Sequence, residues 1–351
     1  MVSVRRKGSS VMEIARKAKA SRAAVYAVLN GTVGTTIGVS VERRDRILAA
    51  AKEVGYVRND LARSLATGRT YTIGVLVHSL KDHFFTDFFN HLDEICVGDG
   101  YSVFLANSEF DPDREARSLR AFLTKKVDGL VIAKDPRHRN EELLAQIHRA
   151  GIPIVTLGEL SGPRRKYPNA TFDEGAGDRL AARHLWDLGH RRVLYFDGRK
   201  RGDSYSIIHR MRWEEFSRAW RALGGTGLRE FQTADTTHGG VELVEHMSSL
   251  RPDQQPTAIG CSSDRLAISV ISSLRLRGRR VPDEVSVMGF DDIEAAAECA
   301  VPLTTIRLPV AKLATGAWRL LKERLEGKNE ANDVVIEPEL VIRESTRRVN
   351  L

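Results

Sequence analysis

From Tyr71 onward the chain alternates short apolar runs with longer amphipathic stretches, and no other feature of the sequence constrains the fold as tightly. The apolar runs are Ile73 to Val77, Ser102 to Leu105, Gly129 to Ala133, Pro153 to Leu157, Val193 to Phe196, Ala258 to Cys261 and Val285 to Phe290. Between them, segments such as Arg114 to Lys125, Asp178 to Leu188 and Leu266 to Arg277 carry apolar residues at helical spacing. Repeated β-α units of this kind predict parallel sheets covered by helices. Roughly 280 residues are too many for one such sheet, and the short Thr171-Phe172-Asp173 is followed by a fresh β-α series. The expected core, residues 71–348, is therefore α/β with two Rossmann-like lobes.

The first 70 residues read differently. Val11 to Asn30 forms two short helical patterns joined by Ala18-Lys19-Ala20, with Ile14, Ala15, Val25, Val28 and Leu29 on apolar faces. Ser21 is placed to cap the second helix by accepting a backbone N–H that the first turn leaves free. A third helix is expected from Val41 to Val54, with Ser40 as its cap and Gly55 at its end. Together they predict a small all-α helix-turn-helix headpiece over residues 1–57. Charge supports a separate role for this segment. Residues 1–70 hold 14 Lys and Arg against 5 Asp and Glu, a net of +9, whereas the remainder holds 40 against 41, a net of −1. A basic module on a near-neutral core points to a polyanionic partner for the module alone.

Several classes fall away. No stretch approaches the ~20 apolar residues that span a bilayer. The charged start, Arg5-Arg6-Lys7, has no apolar region behind it, so a cytoplasmic protein is expected. Cys96, Cys261 and Cys299 are far apart and lack metal-ligand spacing, and their default reading is as small core residues. No G-x-G-x-x-G follows a strand and no phosphate-binding lysine loop occurs, so neither a metal nor a nucleotide cofactor is expected.

Between headpiece and core, residues 58–70 include Asn59-Asp60-Leu61-Ala62-Arg63-Ser64-Leu65-Ala66, small alanines flanking a leucine. Headpiece and hinge together resemble the LacI family of bacterial transcriptional repressors. The resemblance implies that the second helix lies in the major groove of double-stranded operator DNA, with Ser21, Arg22 and Ala23 at its exposed start, Tyr26 and Ala27 one turn on, and Asn30 at its end. Arg22 has the fork that can bind guanine O6 and N7. The resemblance likewise implies a hinge helix over Asn59 to Ala66 that orders on DNA, with Asn59 and Ala62 among its DNA-binding residues, Arg63 as a phosphate contact and Leu65 wedged into the minor groove. This chain departs from the pattern in four places: Lys19 where a turn glycine is usual, Ala27 where an arginine is frequent, a longer loop from Gly31 to Gly38, and Arg58 where a proline normally precedes Asn59. These departures bear on operator sequence more than on fold.

The core also resembles that family, whose effector domain is similar to periplasmic sugar-binding proteins. Gly289-Phe290-Asp291-Asp292, Pro302-Leu303-Thr304-Thr305-Ile306 and Arg212-Trp213-Glu214-Glu215-Phe216 carry the match. Ligands in parallel α/β sheets bind beyond the carboxyl ends of the strands. Phe84 and Phe85, Asp173, Asp264 and Asp291 follow predicted strands, and by resemblance Arg212 and Asp291 line the effector cleft. A guanidinium fork with a carboxylate suits vicinal hydroxyls or ring nitrogens, and an aromatic ring suits an apolar face. Each residue also has a plainer reading: an ion pair for Arg212 and Asp291, a helix cap for Asp264, and core packing for one of the two phenylalanines. Asp82-His83 stands where the family often has Asn-Pro, which predicts a less rigid loop and leaves the effector class open, with a sugar as the default and a purine or other small metabolite as the alternative.

The resulting expectation is a sequence-specific repressor, not an enzyme, acting as a homodimer whose DNA affinity follows a small-molecule effector bound between two lobes. The absence of a terminal leucine heptad favours a dimer over a tetramer. A transport-type sugar-binding protein is the alternative that the core alone would favour, and the lack of a secretion signal argues against it. A hydrolase using His184, His190 or His209 has no supporting motif.

Overall fold

The computed structural model describes residues 11–30, 38–56, 64, 67–133, 139–158, 166–198, 206–233, 238–328 and 332–349. The chain divides into two compact units, Met1–Tyr71 and Thr72–Leu351.

In the first unit, helices α1 (Val11–Ala18), α2 (Arg22–Asn30) and α3 (Val41–Glu53) enclose a small core. Ile14, Ala15, Ala18, Ala24, Val25, Val28, Ile47, Ala50 and Ala51 are buried together, at the three- and four-residue spacing that puts them on one face of each helix. The Ser40 hydroxyl accepts the Arg43 amide at 3.4 Å and starts α3, while Gly55, at φ +62°, ends it in the left-handed conformation that glycine adopts without a steric penalty. The α1–α2 turn needs the same conformation but has no glycine. Lys19 holds φ at +49°, and the Ala20 amide then closes the turn on the Ala15 carbonyl at 3.0 Å.

The second unit contains two parallel sheets. The first builds from β1 (Thr72–Val77), β2 (Ser102–Asn107), β3 (Gly129–Ala133), β4 (Ile154–Leu157) and β5 (Asn169–Phe172), connected through α4 (His83–Gly98), α5 (Pro112–Lys125) and α6 (Glu141–Arg149). The second builds from β6 (Arg192–Asp197), β7 (Gly227–Gln232), β8 (Ala258–Cys261) and β9 (Ser286–Met288), with α7 (Glu174–Asp187), α8 (Ser206–Ala222), α9 (Gly239–Ser248) and α10 (Asp264–Leu276) as its helices. After a short α11 (Glu294–Glu298) come β10 (Thr305–Arg307), α12 (Val310–Leu325), β11 (Val334–Ile336) and β12 (Glu339–Val341). Strand order is β11-β5-β4-β3-β1-β2 in one lobe and β7-β6-β8-β9 in the other, with every pairing parallel. β10 and β12 form a separate antiparallel ribbon.

Both faces of these sheets are buried, which explains the continuous apolar runs. In β6, Val193 and Tyr195 face one core while Leu194 and Phe196 face another. In β1, Ile73, Val75 and Val77 face one core and Leu76 the opposite one. The chain passes between the sheets more than once, because α12 packs on α4, β3, β4 and β5, and β11 extends the first sheet by pairing with β5. These returns tie the lobes into one unit. The edge strand β7, Gly-Leu-Arg-Glu-Phe-Gln, is half-exposed and polar, so it lacks the apolar signature that marks the central strands.

Candidate effector site and nucleic-acid interface

Three adjacent strands of the second lobe, β6, β8 and β9, lead at their carboxyl ends to polar residues. Asp197 closes β6, Ser262 follows β8, and Asp291 lies just beyond β9, bridged to Arg307. Arg212 reaches this floor from α8. Its Nη1 donates to the Ser262 carbonyl at 2.7 Å and to Asp291 Oδ1 at 3.1 Å, and its guanidinium carbon stands 3.8 Å from the Phe290 ring centroid. Two hydrogen bonds and one stacked face fix the orientation of the fork. Burial pushes the Asp291 carboxyl well above the usual carboxylate range; Arg212 opposes the shift, while the charges of Asp264 and Asp82 add to it. Asp82 belongs to the other lobe, in the loop after β1, where it caps α4 by accepting the Phe84 amide at 3.0 Å. The charge of Asp82 in one lobe is therefore felt at Asp291 in the other.

The other expected effector residues divide by burial. Phe84 is half-buried, edge-on to Phe172 at 6.0 Å, whereas Phe85 is a core residue. Asp173 spends its carboxylate locally: one oxygen caps α7 at the Ala176 amide, 2.9 Å away, and the other pairs with Arg179 at 3.2 Å. Asp264 corrects the expectation of a cleft-facing carboxylate. It is fully buried, with one oxygen accepting the Thr305 hydroxyl and the other the Ile293 amide at 2.9 Å, and Ser263 is the helix cap in its place. Burial raises its pKa to about 7 against those two hydrogen bonds. Asp264 thus braces the loop that carries Asp291 from behind.

A buried trio absent from the expected set stands behind Arg212. His209 Nδ1 lies 2.7 Å from Ser262 Oγ and 3.6 Å from Asp197 Oδ1, and Ser262 Oγ donates to Asp197 Oδ1 at 3.4 Å. Among the described residues no group of His, Cys, Asp and Glu is arranged to hold a metal ion, and no helix is long and apolar enough to cross a membrane.

In the first unit, Ser21 caps α2 as expected from its position, accepting the Ala24 amide at 3.1 Å. Arg22, Ala23 and Tyr26 are exposed, Tyr26 at 48%, while Ala24, Val25 and Val28 turn into the core. Ala27 departs from the expectation of an exposed reading residue. It lies on the flank of the buried arc and its short methyl is covered. Asn30 ends α2; Asn59, Ala62, Arg63 and Leu65 lie outside the described residues.

Comparison with known proteins bears on the family and the fold. A profile of the periplasmic binding protein-like domain family matches residues 182–346. A transcriptional repressor of helix-turn-helix type, PurR of Mannheimia succiniciproducens, is 30% identical over 97% of this chain and 99% of its own. The chain belongs to the LacI family of transcriptional regulators. PurR of Photobacterium profundum is a comparable relative, 31% identical over 97% of this chain and 100% of its own. The fold of this LacI-family chain superposes on that of the lac repressor dimer bound to operator and an anti-inducer with a TM-score of 0.78 at 23% identity, covering 97% of this chain and 100% of that one. A complex of the regulator CelR with cellobiose has a TM-score of 0.65 at 25% identity, covering 96% of this chain and 99% of that one. Members of the LacI family are DNA-binding regulators rather than enzymes, and so is this chain.

For this LacI-family regulator, the trio Asp197, His209 and Ser262 was legible in principle. Asp197 and Ser262 each follow a strand directly, the position that the carboxyl-end rule singles out. His209 carried no such signal, because nothing in the sequence tells which face of α8 meets β8.

Proposed function

We propose that this regulator is a repressor that binds a pseudo-palindromic operator as a homodimer in the cytoplasm, and that a sugar held between the lobes of its core sets its DNA affinity. The observation that carries the effector reading is the Arg212–Asp291 pair at the carboxyl ends of β8 and β9, with the Asp82 charge of the other lobe felt at Asp291 and Phe84 half-buried in the helix that Asp82 caps. A carboxylate and a fixed guanidinium fork match adjacent hydroxyls, and a phenyl ring matches the apolar face of a pyranose or furanose. Solved relatives have been captured with ribose, glucose and cellobiose, which favours the same class here. A purine is the second reading, favoured by the same fork and the aromatic edge of Phe84.

On the DNA side, Arg22, Ala23 and Tyr26 form the exposed face of α2 that would enter the major groove, and Asn59, Ala62, Arg63 and Leu65 would form the hinge contacts. Effector-driven lobe movement would bias hinge spacing, by no more than the ligand's differential affinity for the two states.

Thermal melting against a panel of sugars and nucleobases tests the effector reading. A ligand at a hundred times its dissociation constant adds about 2.7 kcal/mol and raises the melting temperature. A shift with a nucleobase and none with any sugar would reverse the two readings. For the operator, Arg22→Ala is expected to relax discrimination at one base pair by about 1–3 kcal/mol while affinity keeps its steep salt dependence.

A further inference from the structure

Besides Asp291 and the Phe290 ring, Arg212 is held by Ser262, which is itself held from behind by His209 and Asp197. The backbone carbonyl of Ser262 takes Arg212 Nη1 at 2.7 Å, and its hydroxyl meets His209 Nδ1 at the same distance. His209 and Arg212 lie three residues apart on α8, so they share one face of that helix, and both reach the single residue that follows β8. Asp197, at the end of the neighbouring strand β6, accepts Ser262 Oγ at 3.4 Å and stands 3.6 Å from His209 Nδ1. With Ser262 donating to a carboxylate, its lone pairs are left to His209. An imidazole proton on Nδ1 completes that chain by donating to Ser262 Oγ. All three residues are buried: Asp197 and Ser262 at 0% exposure and His209 at 3%.

A buried aspartate and histidine cost desolvation energy that an apolar pair of the same shape would avoid, so their packing alone gives no reason for them. What they supply is direction. They pin both the hydroxyl and, through it, the carbonyl of Ser262, and they clamp α8 to β8 at the turn from which Arg212 projects.

We infer that Asp197, His209 and Ser262 form a positioning network that presets the Arg212 guanidinium for the effector. The inference rests on the effector reading above, but its core claim concerns Arg212 itself. A fork already oriented before the ligand arrives loses less freedom on binding, so the network raises effector affinity without touching effector.

The test uses the full-length protein and two variants, His209→Leu, which fills the volume without a donor, and His209→Asn, whose side-chain amide reaches the place of Nδ1. The first readout needs no ligand: nitrogen-15 NMR of the arginine side chains. Arg212 guanidinium protons should be protected from exchange in wild type and His209→Asn, and should exchange freely in His209→Leu. The second readout is titration with ribose, glucose and cellobiose. His209→Leu should bind whichever sugar the wild type takes at least about tenfold more weakly, with His209→Asn restored to within about threefold. Operator affinity in the absence of sugar should be equal in all three proteins, which excludes general misfolding. Unchanged Arg212 protection in His209→Leu overturns the inference, as does equal loss in the leucine and asparagine variants, since that would reduce His209 to packing. Arg212 protection that follows the inference, with no sugar bound by wild type, overturns the sugar reading and leaves the positioning network supported.

Discussion

The Arg212 guanidinium and the Asp291 carboxylate, 79 residues apart in the chain, meet at 3.1 Å on the floor of the second lobe. Arg212 is almost wholly buried, at 6% exposure, so the pair is not a solvent-screened surface bridge. Removing Arg212 takes away the cation that opposes the upward shift of the half-buried Asp291 carboxyl and empties a buried site. Arg212→Met should therefore cost about 1–3 kcal/mol in urea denaturation at neutral pH, and Arg212→Lys should lose the planar, ring-stacked geometry and weaken effector binding while costing less stability. Equal stability of the methionine variant and wild type would contradict the pair's role.

Asp264 gives a pH signature. Its folded-state pKa is raised to about 7 from the ordinary 3.8, so between those values the folded chain holds a proton that the unfolded chain releases. The stabilisation from this proton is fully present below about pH 4 and is lost as pH rises to about 7, at up to about 1.4 kcal/mol for each unit of pH. Asp264→Asn, which can still accept from the Ile293 amide and donate to Thr305, should flatten that dependence in denaturation measured across pH 4.5 to 7.5. A wild type whose stability rises over this interval with no difference from the variant would refute the assignment.

Gly289 is where Asp264 meets the effector loop. A Cβ at this position would stand 2.1 Å from Asp264 Oδ1 and 2.8 Å from Leu303 Cδ2, closer than any real contact. Gly289→Ala should therefore displace the carboxylate that braces the loop, costing about 1–3 kcal/mol and weakening effector binding, as read by denaturation and ligand titration. Combined with Asp264→Asn the losses should be less than additive, because both changes act on one contact.

Lys19 offers a stabilising change. It occupies the left-handed region at φ +49°, where an L side chain costs about 1 kcal/mol that glycine does not incur. Lys19→Gly should raise the stability of the headpiece by somewhat less than about 1 kcal/mol, since glycine also gains freedom in the unfolded chain, and amide exchange of α1 and α2 should slow. Faster exchange would show that the lysine side chain, not the backbone, governs the turn.

Much of the site was readable from residues alone, and the reason is local. Ser21 and Ser40 announce helix starts through hydroxyls that accept amides three residues on, a relationship set entirely by nearby sequence. Arg212 and Asp291 were singled out together by their resemblance to family motifs, and the structure brings their side chains together at 3.1 Å. Ala27 and Asp264 were misplaced for the opposite reason. Whether a residue on the flank of a helix is covered, or a carboxylate after a strand turns inward, depends on what the rest of the chain brings against it. Residues 41 positions away, such as Thr305 for Asp264, decide the matter.

By itself the sequence determined the alternation of strands and helices, the need for two lobes, and the concentration of positive charge in the first 70 residues, because periodicity and composition are properties of the chain that no fold can alter. Tertiary structure alone decided that β11 and α12 return to the first lobe, that Asp264 braces a loop instead of facing the cleft, and that Asp197, His209 and Ser262 converge behind Arg212. Those outcomes depend on strand order and on the rotation of α8 against β8, which are settled by packing between segments distant in sequence and leave no local periodic trace.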